Sequence, residues 1–67
     1  MAKIQLNGKN IILKEKLTLF DLIQKYKLNL KKVAIELNGK IIIKKKFKST
    51  KIKERDKIEI VHFIGGG

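Results

Sequence analysis

The sequence has 67 residues, with 17 Lys and Arg against 6 Asp and Glu, a net charge of +11 and no cysteine. A chain this short buries only about 60% of its unfolded surface, which leaves room for one small domain. The lack of cysteine excludes disulfide frameworks, thiol nucleophiles and cysteine-rich zinc sites. No apolar run approaches the roughly 20 residues that cross a bilayer, so we expect no membrane association. We expect a cytoplasmic protein, or one of the plastid stroma if it is plastid-encoded.

The positive charge has a compositional explanation. Sixteen of the 17 basic residues are Lys, and Lys, Ile and Asn, whose codons are rich in A and T, supply nearly half of the chain. Specific readout of nucleic acids relies on Arg forks and on aromatic rings that stack on bases, whereas this chain has one Arg, three Phe and one Tyr. We therefore expect no specific nucleic-acid partner, only non-specific attraction to polyanions.

The first segments show the two-residue period of β-strands. Residues 2–6 alternate apolar and polar side chains, which predicts a half-buried strand. Asn7-Gly8 follows, and both residue types accept the positive φ that a two-residue type I′ turn requires. Residues 10–14 are therefore predicted to return antiparallel to the first strand.

The hydrophobic period then becomes helical. Thr18 and Asp21 have the spacing of a capping box, and the Asp21 carboxylate also suits the positive end of the helix dipole. Four apolar residues at i, i+3, i+4 and i+7 form one stripe that is predicted to cover a sheet: Leu19, Leu22, Ile23 and Tyr26. Asn29 is the predicted exit from the helix.

The second half returns to strand patterns. Residues 33–37 alternate, Asn38-Gly39 is a second hairpin signal, and residues 40–44 are predicted to run back. Residues 44–53 form a lysine-dense connection with Phe47 as its only large anchor and a short helical turn around it. Arg55-Asp56 is predicted as a turn into a last strand over residues 57–64.

This order predicts an α+β fold, the ubiquitin-like β-grasp: a mixed sheet of four to five strands packed on one helix, with the last strand beside the first. Ile4, Leu6, Ile58 and Ile60 are predicted to line the centre of the sheet under the helix. The β-grasp domain is predicted to span residues 1–64 and a flexible glycine tail residues 65–67. A different strand order remains the alternative.

The three glycines at the end of the chain carry the functional prediction. They form a strip without side chains that holds a terminal carboxylate clear of the domain, well suited to a narrow active-site channel. The alternative is a frayed end or a cloning remnant.

The chain resembles the ThiS family of ubiquitin-like sulfur carriers along its whole length. The resemblance rests on an ordered set of segments: Ile4-Gln5-Leu6-Asn7-Gly8, Thr18 before Leu19…Leu22-Ile23, Val33-Ala34-Ile35-Glu36-Leu37-Asn38-Gly39, and Asp56-Lys57-Ile58-Glu59-Ile60-Val61-His62-Phe63-Ile64-Gly65-Gly66-Gly67. It implies that a ThiF-type enzyme adenylates the Gly67 carboxylate with ATP. The terminus then becomes a thiocarboxylate, which gives its sulfur to a ThiG-type thiazole synthase.

The same resemblance implies how the parts are divided. Gly67 carries the sulfur, Gly66 completes the diglycine, and Gly65 adds only flexibility. The chain is expected to be a substrate rather than an enzyme, with no bound cofactor or metal, while ATP and Mg belong to the activating enzyme and a sulfur donor protein supplies the sulfur. The free carrier is expected to be monomeric.

The expected docking surface follows from strand periodicity. If Ile58 and Ile60 face the core, Val61 and Phe63 lie on the open face of the sheet, and together with Ile64 they are the predicted partner-binding residues. Packing of Phe63 against Phe47 is the alternative. His62 is predicted to be a strand residue near the surface rather than a ligand, because there is no second His and no Cys. Acidic rims on partners would make encounter faster at low salt.

Three other functions remain open. The small subunit of molybdopterin synthase has the same fold, the same diglycine and the same thiocarboxylate. A ubiquitin-like protein modifier would end as an amide on a lysine. A basic nucleic-acid-binding domain would make no use of the tail.

Overall fold

The computed structural model describes residues 1–63, which form a five-stranded sheet and one α-helix. The elements in chain order are β1 (Ala2–Leu6), β2 (Lys9–Leu13), α1 (Leu19–Lys25), a 3-10 helix (Leu30–Lys32), β3 (Val33–Leu37), β4 (Lys40–Ile42), a second 3-10 helix (Lys44–Lys46) and β5 (Lys57–His62). The strand order is β2-β1-β5-β3-β4, and β5 is parallel to β1 and antiparallel to β3. The predicted β-grasp is confirmed, with the last strand beside the first.

Both Asn-Gly pairs form the predicted turns. The φ angles are 50° at Asn7 and 82° at Gly8, and 53° at Asn38 and 87° at Gly39, so both central residues have the positive φ of a type I′ turn. The strands around the turns differ slightly from the prediction. Strand β2 begins and ends one residue earlier, and β4 ends at Ile42 because the chain turns into the second 3-10 helix.

The two turn asparagines also hold the central strand. The Ile60 N–H of β5 donates to Asn7 Oδ1 at 2.7 Å, and the Lys57 N–H donates to Asn38 Oδ1 at 2.8 Å. Strand β1 pairs with β5 only as far as Ile58. The Asn7 side chain therefore accepts a hydrogen bond from Ile60 N–H, a backbone group that has no partner strand residue in β1. Each copy of the Leu-Asn-Gly-Lys segment therefore forms a hairpin turn, and the asparagine of each turn also accepts a hydrogen bond from the backbone of β5.

The capping box of the helix is confirmed, but the helix ends earlier than predicted. Thr18 N–H donates to Asp21 Oδ2 at 2.9 Å, and Asp21 N–H donates to Thr18 Oγ1 at 3.1 Å. Helix α1 ends at Lys25 because Lys27 takes a φ of 54°, outside the helical region. Tyr26 is 44% exposed and does not belong to the buried stripe. Asn29 instead caps the first 3-10 helix by accepting a hydrogen bond from Lys31 N–H.

The core lies between α1 and one face of the sheet. The buried apolar residues are Ile4, Leu13, Leu19, Leu22, Ile23, Val33, Ile35, Phe47, Ile52 and Ile58. Phe47 is a core anchor, as predicted, but Ile52 in the same connection is buried as well, so Phe47 is not its only anchor. Leu6 and Ile60 are only half-buried. They line a groove together with Tyr26 and Leu28, which follow the end of the helix.

Within residues 1–63, no helix is long and apolar enough to cross a membrane. The predicted boundary between domain and tail lies outside the described residues and stays a prediction.

Candidate functional site

Strand β5 ends at the same end of the sheet where β3 begins. The strand ends at His62, and the Phe63 N–H donates to the Lys32 carbonyl at 2.8 Å, just before β3 begins. Phe63 is therefore held beside the first residues of β3. Ile64, Gly65, Gly66 and Gly67 lie outside the described residues, and the roles predicted for them stay predictions.

Val61 lies on the open face of the sheet, opposite the face that α1 covers. It pairs with Ala34 of β3, while its neighbours Ile60 and Ile58 on β5 pair with Ile35 and Leu37. Val61 is 58% exposed. Strand alternation from the buried Ile58 to the exposed Val61 follows the sequence prediction.

Two exposed isoleucines extend the apolar surface around Val61. Ile41 of β4 is also exposed and pairs with Glu36 of β3, and Ile43, which directly follows β4, lines the same groove as Ala34. We call Ala34, Ile41, Ile43 and Val61 the open-face patch. Sequence periodicity on β5 indicated Val61 but not the isoleucines, because their placement depends on how β4 pairs with β3.

Phe63 is partly exposed at the end of the sheet. The ring is 38% exposed, and it lines a groove of about 470 Å³ at the end of the sheet. The groove is mostly apolar, with two lysines: Val33, Ala34, Ile42, Ile43, Lys44, Lys45, Phe47 and Phe63. Phe63 therefore lines the same groove as Phe47 and remains partly exposed, and its role in partner binding stays a prediction.

His62 lies on the helix side of the sheet, because it pairs with the buried Val33. It is exposed and lines a second groove of about 480 Å³ with Tyr26, Leu28 and Ile60 among its residues. In the part of the chain that the structure describes, no group of three or more His, Cys, Asp or Glu could hold a metal ion. His62 is an exposed residue at the end of β5, the position that the sequence predicted.

Asp56, which the sequence indicated only as part of a turn, is buried at the opposite end of the sheet. Its Oδ1 accepts a hydrogen bond from Asn38 Nδ2 at 3.0 Å, and its Oδ2 accepts one from Lys53 N–H at 2.8 Å. The Asp56 carbonyl accepts a further bond from Gln5 N–H at 2.9 Å. These contacts join β1, β5 and the second hairpin turn, so Asp56 is structural and lies at the end of β5 opposite to Phe63.

A family model described as "ThiS family" matches residues 3–67, which is nearly the entire chain and includes its glycine end. The chain belongs to the ThiS family. This ThiS-family chain is 45% identical over 65 residues to the sulfur carrier protein ThiS of Bacillus subtilis (strain 168), covering 96% of this chain and 98% of that protein. It is also 38% identical over 64 residues to the uncharacterized protein ycf40 of Porphyra purpurea, covering 96% and 90% of the two chains.

The fold of this ThiS-family chain is also similar to a solved structure from the family. The crystal structure of the thiamine biosynthesis protein ThiS from Geobacter metallireducens superimposes with a TM-score of 0.83 at 31% identity, over 97% of this chain and 99% of that one. The likeness covers the complete β-grasp. The family that the sequence segments indicated is thereby confirmed.

Proposed function

We propose that this chain is a sulfur carrier of thiamin biosynthesis whose Gly67 carboxylate is adenylated and then converted to a thiocarboxylate. The observation that carries the proposal is the family match, which runs through residue 67 and so includes the terminal diglycine. The 45% identity to a sulfur carrier protein over almost its full length supports the same reaction. Those matches favour the thiamin pathway over the molybdopterin pathway, protein conjugation and nucleic-acid binding.

The chemistry explains why a glycine carboxylate needs partner enzymes. A carboxylate is a poor acyl electrophile, so sulfur enters only after one oxygen becomes a good leaving group. Transfer of AMP from ATP to the carboxylate forms a mixed anhydride and releases pyrophosphate. Sulfur at the sulfide level, delivered as hydrosulfide by the sulfur donor, then attacks the acyl carbon. The bond from that carbon to the AMP oxygen breaks, AMP leaves, and the thioacid loses its proton. The resulting thiocarboxylate at Gly67 is the sulfur donor for thiazole formation.

The division of labour follows from what this chain contains. Without cysteine it has no thiol to carry a persulfide, so the sulfur comes from a separate donor protein. In this proposal a ThiF-type enzyme binds ATP and Mg and adenylates the terminus, and a ThiG-type thiazole synthase accepts the sulfur. The carrier binds no cofactor of its own and is not an enzyme. It acts as a monomer in the cytoplasm, or in the plastid stroma if it is plastid-encoded.

The intact mass of the protein tests the proposal directly. Incubation with ATP, a sulfur source and a ThiF-type adenylating enzyme is expected to add the mass difference between sulfur and oxygen. The same mixture without ATP is the control, because the anhydride cannot form there. An unchanged mass with an enzyme that converts the Bacillus subtilis relative would contradict the assignment.

The docking surface in this proposal is the open face beside the terminus, with Val61, Phe63 and Ile64 as partner-binding residues. Val61 and Phe63 are exposed apolar side chains at the end of the strand that leads into the tail. An enzyme that holds the tail in its active site has to approach this end of the sheet. Apolar groups exposed there become buried on docking and so contribute to affinity.

Replacement of Val61 by Asp is expected to weaken binding to the adenylating enzyme about tenfold or more, because a carboxylate would be buried in the interface. Ile12→Asp is the matched control. Ile12 is 56% exposed on the same open face, but it lies on β2, opposite Lys3, about 20 Å from Val61 along the strand direction. Titration of the enzyme with each folded variant measures the affinities. If both variants lost affinity equally, Val61 would not be part of the docking surface.

A further inference from the structure

Two acidic side chains face each other on the open face of a strongly basic protein. Glu36 of β3 and Glu59 of β5 are direct partners in the antiparallel ladder, and both are exposed. They are two of only six acidic residues in a chain of net charge +11. Like charges directly opposite each other destabilise a sheet.

The carboxylate pair borders the open-face patch. Ile41 pairs with Glu36 across β3 and β4, and the Ala34–Val61 pair is two residues further along the strands, a distance of about 7 Å. Lys57 lines a small recess with both glutamates, which leaves one net negative charge among these three side chains. The centre of the open face therefore differs in sign from the chain as a whole.

Positive charge lies on the other side of the patch. Lys44 and Lys45 line the groove that also contains Ala34, Ile43 and Phe63. From the middle of the sheet to the end where β5 finishes, the surface therefore runs from carboxylates, through the apolar patch, to lysines. This sequence of charges has a direction, so it favours one orientation of a partner over the reverse.

The cross-strand pair by itself is repulsive, and the single Lys57 beside it can offset only one of the two charges. A lysine at either position would remove the repulsion and form an ordinary cross-strand ion pair, and lysine is the commonest residue in this sequence. Costs of this kind, located on an exposed face beside apolar side chains, are typical of surfaces that are shaped by binding rather than by folding.

We propose that the open face docks a protein surface that places a cationic side chain, Arg or Lys, between Glu36 and Glu59. Apolar side chains of that surface cover the open-face patch, and its own carboxylates face Lys44 and Lys45. The net charge alone predicts a partner with an acidic rim, whereas the local pattern requires a basic group at the centre of the contact. This inference rests on the proposed function, since the partner to be tested is the enzyme that adenylates the terminus.

The test replaces both carboxylates by isosteric amides, as Glu36→Gln and Glu59→Gln in one chain. Affinity for the ThiF-type adenylating enzyme is expected to fall about tenfold, since the cation loses both ionic partners. The thermal midpoint of the free variant is expected to stay within about 2 °C of the original, because the loss of the like-charge pair is offset by the loss of two negative charges beside Lys57 in a chain of net charge +11. Weaker binding from a protein of unchanged stability is a result that a merely structural role cannot produce.

Matched variants separate this effect from net charge. Glu15→Gln removes one negative charge from an exposed site outside the sheet, and it is expected to leave the affinity unchanged. Lys45→Gln, on the opposite side of the patch, is expected to weaken binding severalfold, whereas Lys16→Gln in the loop before the helix is not. At high salt the affinities of the original chain and of the double amide variant should approach each other.

Three outcomes overturn the inference. One is an unchanged affinity of the double amide variant for an enzyme that converts the original chain. Another is an equal loss of affinity for Glu15→Gln, which would reduce the effect to net charge. The third is a change in self-association of the free chain without a change in enzyme affinity, which would make the face a contact between two copies. If the original chain gains no sulfur at all, the proposed function fails instead.

Discussion

A chain that ends at Gly65 is expected to fold normally and to gain no sulfur. Removal of Gly66 and Gly67 leaves a glycine carboxylate with the same chemistry, but it brings that group about 7 Å closer to the domain, since each extended residue spans up to roughly 3.5 Å. The adenylating enzyme would then have to bring its nucleotide that much closer to Phe63 and the end of the sheet. The deletion therefore tests how far the carboxylate must extend from the domain, while the reacting group itself stays the same.

Intact mass after incubation with ATP, sulfur source and enzyme measures the effect, and a thermal melt checks the fold. The matched control is Gly65→Ala, which keeps the length and the terminal diglycine and is expected to be converted. If the shortened chain gained sulfur as readily as the full chain, the position of the carboxylate would not matter and the role assigned to Gly67 would be withdrawn.

Replacement of Asp56 by Ala is expected to lower the free energy of unfolding by about 2–4 kcal/mol. Asp56 is 8% exposed, and its loss leaves the Asn38 side-chain amide and the Lys53 N–H without their acceptor. Asn38 in turn accepts the bond from Lys57 N–H, so the start of β5 loosens as well. A domain of this size has only roughly 3–10 kcal/mol of total stability, so the variant is expected to be close to unfolding at physiological temperature.

Urea denaturation followed by circular dichroism gives the change in stability. Asp56→Asn retains an oxygen for Lys53 N–H but turns an amide group towards the Asn38 amide, so an intermediate loss is expected. Glu15→Ala serves as an exposed control, with a change within about 0.5 kcal/mol. An Asp56→Ala midpoint equal to that of the original chain would show that the network contributes nothing to stability.

Local sequence patterns predicted the parts of the fold that depend on local chemistry. The Asn-Gly turns and the Thr18–Asp21 capping box each satisfy their own backbone groups within a few residues, so sequence alone identifies them. The predicted end of α1 at Asn29 was wrong. The helix ends earlier because Lys27 takes a positive φ, which the sequence does not indicate since lysine has no special preference for that conformation. Leu6 and Ile60, predicted to lie under the helix, instead line a groove with Tyr26 and Leu28 just after it.

Burial of Ile52 and Asp56 was not predictable in the same way. Both lie in a polar, charged segment, and their environment is created by strands and a turn that are distant in sequence, β1 and the Asn38 turn for Asp56. The candidate site likewise has one part that local sequence predicts and one part that depends on distant segments. Val61 follows from the period of β5, whereas the opposition of Glu36 and Glu59 depends on the register between β3 and β5.

The position of β5 between β1 and β3 also determines how the domain responds to a pull on its terminus. An enzyme that draws the chain beyond Phe63 into a channel applies force along β5, nearly perpendicular to its hydrogen bonds to both neighbours. Such a load must break bonds to β1, β3, Asn7 and Asn38 together rather than one after another. The strand that precedes the tail is thus bonded on both edges, and in the proposed function this lets the domain withstand tension when an enzyme draws on its terminus.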